Sequence, residues 1–364
     1  MKFVECDLCG SSENAALFTC RDFRVPDGHG SFQLVECREC GLIYLNPRPE
    51  GMEMAPYYPQ TYYDDLGRGA GRTARRDSSL GRLHKSLRQP LLERFYQYPH
   101  RRTDPPTPKN GLLSLGTTLC LRVERWRLRV MGCEAAIIPF IAEGRLLDVG
   151  CATGTDLEAF KAAGWSVSGV EASPYAASMA RSRLGCEVRV GAFEEVALPD
   201  ESFDVVRFSH SLEHLPSPRK ALEKARRLLQ PCGLLWIEVP NAASLERRFF
   251  GRHWFGWDVP RHLYHFTPET LTRLLIYTGF RPVRVQCDAR TFFFAESVAN
   301  ALAHFLNARP RRKKVISAVV RPLVYALGMT NRGALLTVHA TREEAGTAIS
   351  PERSPDMRSG GSAG

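Results

Sequence analysis

The chain has no stretch of about 18 uncharged apolar residues, the least that spans a bilayer, and its start, Met1-Lys-Phe-Val-Glu-Cys-Asp7, has no apolar leader. A cytoplasmic protein is therefore expected. Internal repeats are absent too, so no solenoid or propeller is anticipated. Negative charge is the scarcer sign: 39 Asp and Glu face 49 Lys and Arg, a net +10. The excess is concentrated between Arg68 and Arg129, where fifteen basic residues meet only Asp77, Glu93, Asp104 and Glu124. Such a stretch can face nucleic acid, anionic lipid or a phosphorylated substrate, or be a solvated linker. Cysteine is plentiful at 11 residues, but without the dense pairing of a small secreted scaffold. Four fall in two C-x-x-C pairs and the rest are single, which favours metal binding in a reducing compartment.

At 364 residues and 44% hydrophobic content, two or three units with a sizeable core are allowed. The most informative stretch is Arg145-Leu-Leu-Asp-Val-Gly-Cys-Ala-Thr-Gly154. Its apolar run stops at Gly150 and gives way to the helical pattern from Asp156 to Ala163, so it reads as buried strand, glycine turn and helix. Ser166 to Glu171 supplies a second strand ending on a carboxylate about 20 residues on, where a ribose would be held in a nucleoside-binding α/β fold. The dinucleotide fingerprint G-x-G-x-x-G is missing, and Asp148 would repel a phosphate. A cationic nucleoside suits Asp148 better, and S-adenosylmethionine carries both a sulfonium and an ammonium.

Cys6-Asp-Leu-Cys9-Gly10 and Cys37-Arg-Glu-Cys40-Gly41 are two matching turns. Two residues between cysteines let both thiolates reach one tetrahedral ion, so Cys6, Cys9, Cys37 and Cys40 are expected to hold a structural zinc. Cys20, between the pairs, reads as a packing residue.

Leu147-Asp-Val-Gly-Cys-Ala-Thr-Gly154, Gly169-Val-Glu-Ala172 and Leu228 through Asn241 together resemble the class I S-adenosylmethionine-dependent methyltransferases, with the motifs in the family's order from about Leu146 to Arg342. The two cysteine knuckles and the following Pro56-Tyr-Tyr-Pro-Gln-Thr-Tyr-Tyr63 resemble a bacterial subset whose zinc-binding N-terminal module ends in an aromatic segment over the catalytic domain. The resemblance implies a Rossmann-like seven-stranded α/β sheet with an antiparallel last strand, preceded by a zinc ribbon and a helical connector. It divides the chain into 1–50, 51–135, 136–342 with a helical insertion over 291–332, and a disordered tail over 343–364. The cofactor site then comprises Asp148, Gly150, Cys151, Gly154, Glu171, Ala172, Ala192, Phe193 and Ser209. The family commonly has an acidic adenine-binding residue where this chain has Ala192, which leaves that contact to backbone groups, Phe193 or Glu194. Tyr62 or Tyr63 is a candidate cover for the cofactor.

Ser209-His-Ser-Leu-Glu-His214 matches H-x-x-E-H, but Pro216 and Pro218 follow at once and exclude the long helix of a zinc protease. Some quinone O-methyltransferases of the family place two carboxylates and a histidine here around a divalent cation. Glu213 and His214 match that pattern while His210 replaces its first carboxylate; a buried structural role for Glu213 is the alternative. The stretch from Asn241 to Phe266, with Trp254, Trp257, His262 and His265, follows a strand end, where open α/β sheets bind ligands. It is the expected acceptor site, with His210, His214, His262 and His265 as candidate bases. Residues 291–329 combine apolar stripes with the basic run Arg309 to Lys314, and either touch a membrane surface peripherally or cover the protein's own core.

The function expected is methyl transfer from S-adenosylmethionine to a small-molecule, sugar or glycolipid-type acceptor. An RNA methyltransferase using the ribbon and basic connector is the alternative. It is disfavoured because Cys6 to Cys40 contains only Phe18, Phe23 and Phe32 as stacking aromatics.

Overall fold

Leu146, Leu147 and Val149 are buried in β4 (Arg145–Val149), as their unbroken apolar run demands of a strand covered on both faces. The computed structural model describes residues 1–24, 30–64, 90–99, 115–130, 133–185, 187–306 and 313–343. The anticipated basic connector over 65–89 and 100–114 and the tail from 344 lie outside them.

Parallel to β4 run β5 (Ser166–Glu171) and β6 (Val188–Val190) on one side, and β7 (Phe203–Ser209) and β8 (Leu229–Pro240) on the other. Two more strands, β10 (Phe280–Asp288) and β11 (Leu335–Arg342), complete a seven-stranded sheet of order β10-β11-β8-β7-β4-β5-β6. β11 is antiparallel to both neighbours. This is the expected Rossmann-like sheet with its antiparallel last strand. Strand order reverses at β4, so a crevice opens between the C-terminal ends of β4 and β7, where open sheets of this kind bind ligands.

The helices follow from local signals. α1 (Leu115–Val130) precedes the sheet; α2 (Thr155–Ala162) and α3 (Pro174–Leu184) carry the chain between β4, β5 and β6. α4 (Pro218–Leu228) starts at Ser217, whose hydroxyl accepts from Lys220 N. α5 (Leu245–Phe250) is short. α6 (Pro268–Tyr277) has Thr267 as N-cap and Pro268 in its first turn, as its sequence indicates. The insertion between β10 and β11 comprises α7 (Thr291–Leu306), α8 (Lys313–Val319) and α9 (Arg321–Met329).

The N-terminal residues are built into the rest of the molecule. β1 (Asn14–Arg21), β2 (Ser31–Cys37) and β3 (Ile43–Leu45) form an antiparallel sheet whose fourth strand, β9 (Tyr264–His265), comes from the segment after β8. Leu34, Tyr44 and Leu45 share one hydrophobic core with Val149, Phe208 and Trp257. Asp7 reinforces the junction: its carboxylate accepts from Ser217 Oγ and from Arg219 N, both at 2.7 Å, at the start of α4.

Candidate functional site

Tight turns at each knuckle, closed by Gly10 N and Gly41 N donating to Cys6 O and Cys37 O, bring four thiols together. The Sγ atoms of Cys6, Cys9, Cys37 and Cys40 all lie within 4.8 Å of one another, none in a disulfide. Three of the four are buried, and burial pushes Cys40 up to about 11. Four convergent sulfurs with no cationic side chain among them are a donor set suited to one tetrahedral divalent ion. Cys20 is buried at the end of β1, with Sγ facing Arg252 O at 3.5 Å.

The glycine turn after β4 opens onto a cavity of about 1460 Å³. Gly150 has φ +75°, and a Cβ there would lie 2.7 Å from Ser211 Cβ, so only glycine lets the turn pass beneath the next loop. Gly154, at φ +73°, does not face the cavity: it packs against Ala180 and Leu184 of α3. Its expected cofactor contact is therefore corrected to a helix-packing role. Cys151, Ala172, Ala192, Phe193 and Ser209 all line the cavity, as does Glu171. Glu171 is buried and accepts from Ala152 N and Ser173 N, each at 2.9 Å, which anchors its carboxylate beside the turn.

Asp148 lines the cavity too, but not as a free carboxylate. Arg207 Nη1 donates to both its oxygens at 2.9 Å, and Nη2 reaches Asp156 at 2.6 Å. The electrostatics here are those of a buried pair. Nothing in β7's apolar pattern announced that its one arginine would point at β4.

A roof over the cavity comes from the N-terminal part. Tyr58, Tyr62 and Tyr63 line it. Tyr58 Oη lies 2.9 Å from His214 Nδ1, and Asp64 at the other end accepts from Tyr175 Oη on α3 at 2.8 Å. Arg24 joins this wall, bonded to Asp258 at 2.8 Å with its guanidinium over the Tyr62 and Phe255 rings. Phe292 and Phe293, at the start of α7, complete the apolar side.

The four candidate histidines separate by environment. His210 has φ +50°, and its two ring nitrogens face Glu213 and Glu238, each at 3.5 Å. Burial opposes its charge, but the flanking carboxylates prevail and push its pKa up to about 10. Two flanking carboxylates favour the protonated ring, which disfavours His210 as a base. His214 and His262 stand edge to face at 4.7 Å, both lining the cavity. Burial, then the neighbouring His262, lowers His214 to about 4; burial also lowers His262 against the pull of Asp258 and Glu213. His262 Nδ1 donates to Gly256 O at 2.8 Å, which leaves Nε2 as the acceptor. His265 is corrected outright: it lies in β9, buried against Trp257, and does not reach the cavity. Trp254 and Trp257 are likewise core residues, each 1% exposed, not flat faces offered to an acceptor.

Glu213 completes a second cluster. Its carboxylate is wholly buried with neither oxygen hydrogen-bonded, and its ligand atom and those of His214 and His262 lie within 4.8 Å of one another. The H-x-x-E-H segment forms only a 3-10 turn, Leu212–His214, consistent with the prolines that follow.

Residues 123–285 match the family model for a methyltransferase domain. It is 30% identical over 134 residues to the ubiquinone biosynthesis O-methyltransferase of Xanthomonas oryzae, covering 35% of this chain and 56% of that protein. It is 32% identical over 161 residues to the protein of the same name from Cereibacter sphaeroides, covering 41% and 64%. The chain thus spans less than two thirds of either relative. A methyltransferase structure from Thermotoga maritima, described as a possible histamine N-methyltransferase, is 23% identical, covering 62% of this chain and 97% of that one, with a TM-score of 0.42. S-adenosylmethionine is the cofactor of the methyltransferase family.

Arg24, Arg207 and Phe292 escaped the sequence reading for a common reason. Each reaches the cavity from an element that has no motif of its own, and only the packing of distant segments aims it there.

Proposed function

We propose that the protein transfers the methyl group of S-adenosylmethionine to a small-molecule or glycan-type acceptor bound beneath the N-terminal roof. The observation that carries this reading is the single cavity with two unlike walls. One wall is the Gly150–Thr155 turn with Glu171, Ala192 and Phe193; the other is Tyr58, Tyr62, His214, His262, Phe292 and Phe293.

Glu171 would hold the ribose hydroxyls, the backbone of the turn the methionine part, and Phe193 the adenine face. The reaction is an in-line displacement: the acceptor atom bonds the methyl carbon as the carbon–sulfur bond breaks and the pair returns to sulfur. Holding the acceptor in line supplies much of the rate. His262 Nε2, unprotonated and inside the cavity, takes the proton from a hydroxyl or acidic carbon, and His214 supports it. The imidazolium of His210 offsets the buried Glu213 and Glu238 carboxylates at the cavity floor. The zinc ion belongs to the cysteine cluster in this reading, holding the knuckle whose Asp7 caps the start of α4.

A second reading rests on Glu213, whose oxygens accept no hydrogen bond although His210 faces one of them at 3.5 Å: with His214 and His262 it forms a ligand set that suits a divalent cation, which would polarise an acceptor oxygen. Metal analysis decides between the two. About one ion per chain, lost on Cys37→Ser, supports the first; a second ion lost on Glu213→Gln supports the other.

Calorimetry with S-adenosylmethionine and its demethylated product tests the cofactor assignment. Glu171→Ala is expected to weaken both by at least tenfold, since a hydrogen bond to a charged group contributes about 1.5–3 kcal/mol. His262→Ala is expected to leave affinity within about threefold and to lower methyl transfer to a responsive acceptor by about a hundredfold. Unchanged cofactor affinity in Glu171→Ala would refute the proposed site.

A further inference from the structure

The face flanking edge strand β10 is not explained by methyl transfer. Helix α1 exposes Leu119, Val123 and Trp126, spaced four and three residues apart and so on one side of the helix. Trp126 is 64% exposed. Val315 and Val319 of α8 and Leu323 and Met329 of α9 are also exposed, as is Val283 of β10. Three of these elements converge: Arg129 of α1, Arg284 and Val285 of β10, and Gly328 and Met329 of α9 line one cavity of about 430 Å³. From Ser297 to Arg342 the sequence contains no Asp or Glu; Arg321 and Arg332 are exposed, while Arg342 is paired with Glu201. On α1, Arg122 is exposed beside the apolar row, Arg129 is exposed but paired with Glu134 at 2.9 Å, and the helix's one acid, Glu124, is paired with Arg127.

Aliphatic side chains in the open, among a surplus of positive charge in which exposed Arg122, Arg281, Arg321 and Arg332 stand beside the Glu134-paired Arg129 and Arg284, call for a partner both apolar and anionic. A second copy of the chain fits poorly, because like charge would meet like charge. The edge of β10 is also blunted against strand pairing by Pro282, by a register irregularity between Pro282 and Arg284, and by exposed Arg281. Nucleic acid would satisfy the charge but leave Val315, Val319, Leu323 and Met329 without a partner. An anionic bilayer satisfies both, with acyl chains for the apolar rows and headgroups for the basic residues. We propose that the face formed by α1, α8 and α9 around β10 docks this protein peripherally on anionic lipid membranes. No described helix is long and apolar enough to cross a membrane, so the contact is a surface one.

The protein carries its own probe. Of its five tryptophans, Trp165, Trp236, Trp254 and Trp257 are buried and Trp126 is exposed. Vesicles of phosphatidylcholine containing phosphatidylglycerol should sediment the full chain and shift its emission to the blue, and Trp126→Phe should remove the shift while preserving binding. Pure phosphatidylcholine vesicles, or high salt, should weaken binding by about tenfold or more. The pair Val123→Glu and Leu323→Glu, at exposed sites where the fold should persist, should weaken it by a similar factor. Absence of binding to the anionic vesicles at low salt would overturn the proposal. So would binding without a Trp126 shift, competition by RNA at lower concentration than by vesicles, or dimerisation that blocks vesicle binding. None of these readouts needs an acceptor or cofactor, so the result is independent of the proposed catalytic roles.

Discussion

Arg261 is a buried link between the N-terminal part, at Asp22, and the segment after β8, at Asp258, and Arg261→Met tests how much that link is worth. The side chain is 1% exposed. Its guanidinium donates to Asp22 at 2.7 and 2.9 Å and to Asp258 at 2.8 and 3.2 Å, so two buried carboxylates depend on it. Arg24 also holds Asp258, but among the described residues Asp22 accepts from no other arginine side chain, only from the backbone N of Arg24 at 2.8 Å. Methionine replaces the volume and leaves Asp22 buried and unpaired. Breaking such a pair costs about 3–5 kcal/mol, a large share of the roughly 5–15 kcal/mol that holds a domain folded. Guanidinium unfolding followed by circular dichroism should show the midpoint falling at constant slope, and heating should show a Tm lower by roughly 5–15 °C. In the double variant Arg261→Met, Asp22→Asn, part of the loss should return, because the unpaired charge is gone. A single variant within about 1 kcal/mol of wild type, or a double variant no better than the single, would refute the claim that this cluster ties these two parts together.

Other outcomes follow from the same geometry. Cys37→Ser should lose the bound metal and expose the knuckle to proteolysis, since metal-binding energy there is folding energy; retention of the ion would place the ligands elsewhere. Gly150→Ala should weaken cofactor binding more than Gly154→Ala, because the first pushes Ser211 into the cavity wall whereas the second strains only the packing of α2 on α3; equal losses would contradict the division. Glu246 is buried with both oxygens unbonded, and burial, aided by Asp288, pushes its pKa up to about 8. The native state therefore holds this proton more tightly than the unfolded chain, and stability should fall as pH rises from about 4.5 towards 8. Glu246→Gln should flatten that fall by a few kcal/mol, measured by unfolding at pH 5 and pH 8.5, and an unchanged pH profile would show that the carboxyl finds a partner.

The parts of this protein that its sequence determined are those set by neighbours along the chain. The run ending at Gly150, the capped and proline-started α6, the two knuckles and the order of the strands all express periodicity or turn chemistry over a few residues. The tertiary structure alone decided what depends on residues far apart. His210 and His214 sit four positions apart, yet one is charged and the other neutral, because Glu238 approaches the first and burial beside His262 governs the second. His262 faces the cavity while His265, three residues on, is locked in β9 by pairing with Ile43. Asp148 is half of a buried ion pair because Arg207, 59 positions later, folds against it. Charge state and exposure are properties of the surroundings, and the surroundings of a buried side chain are assembled from the whole chain.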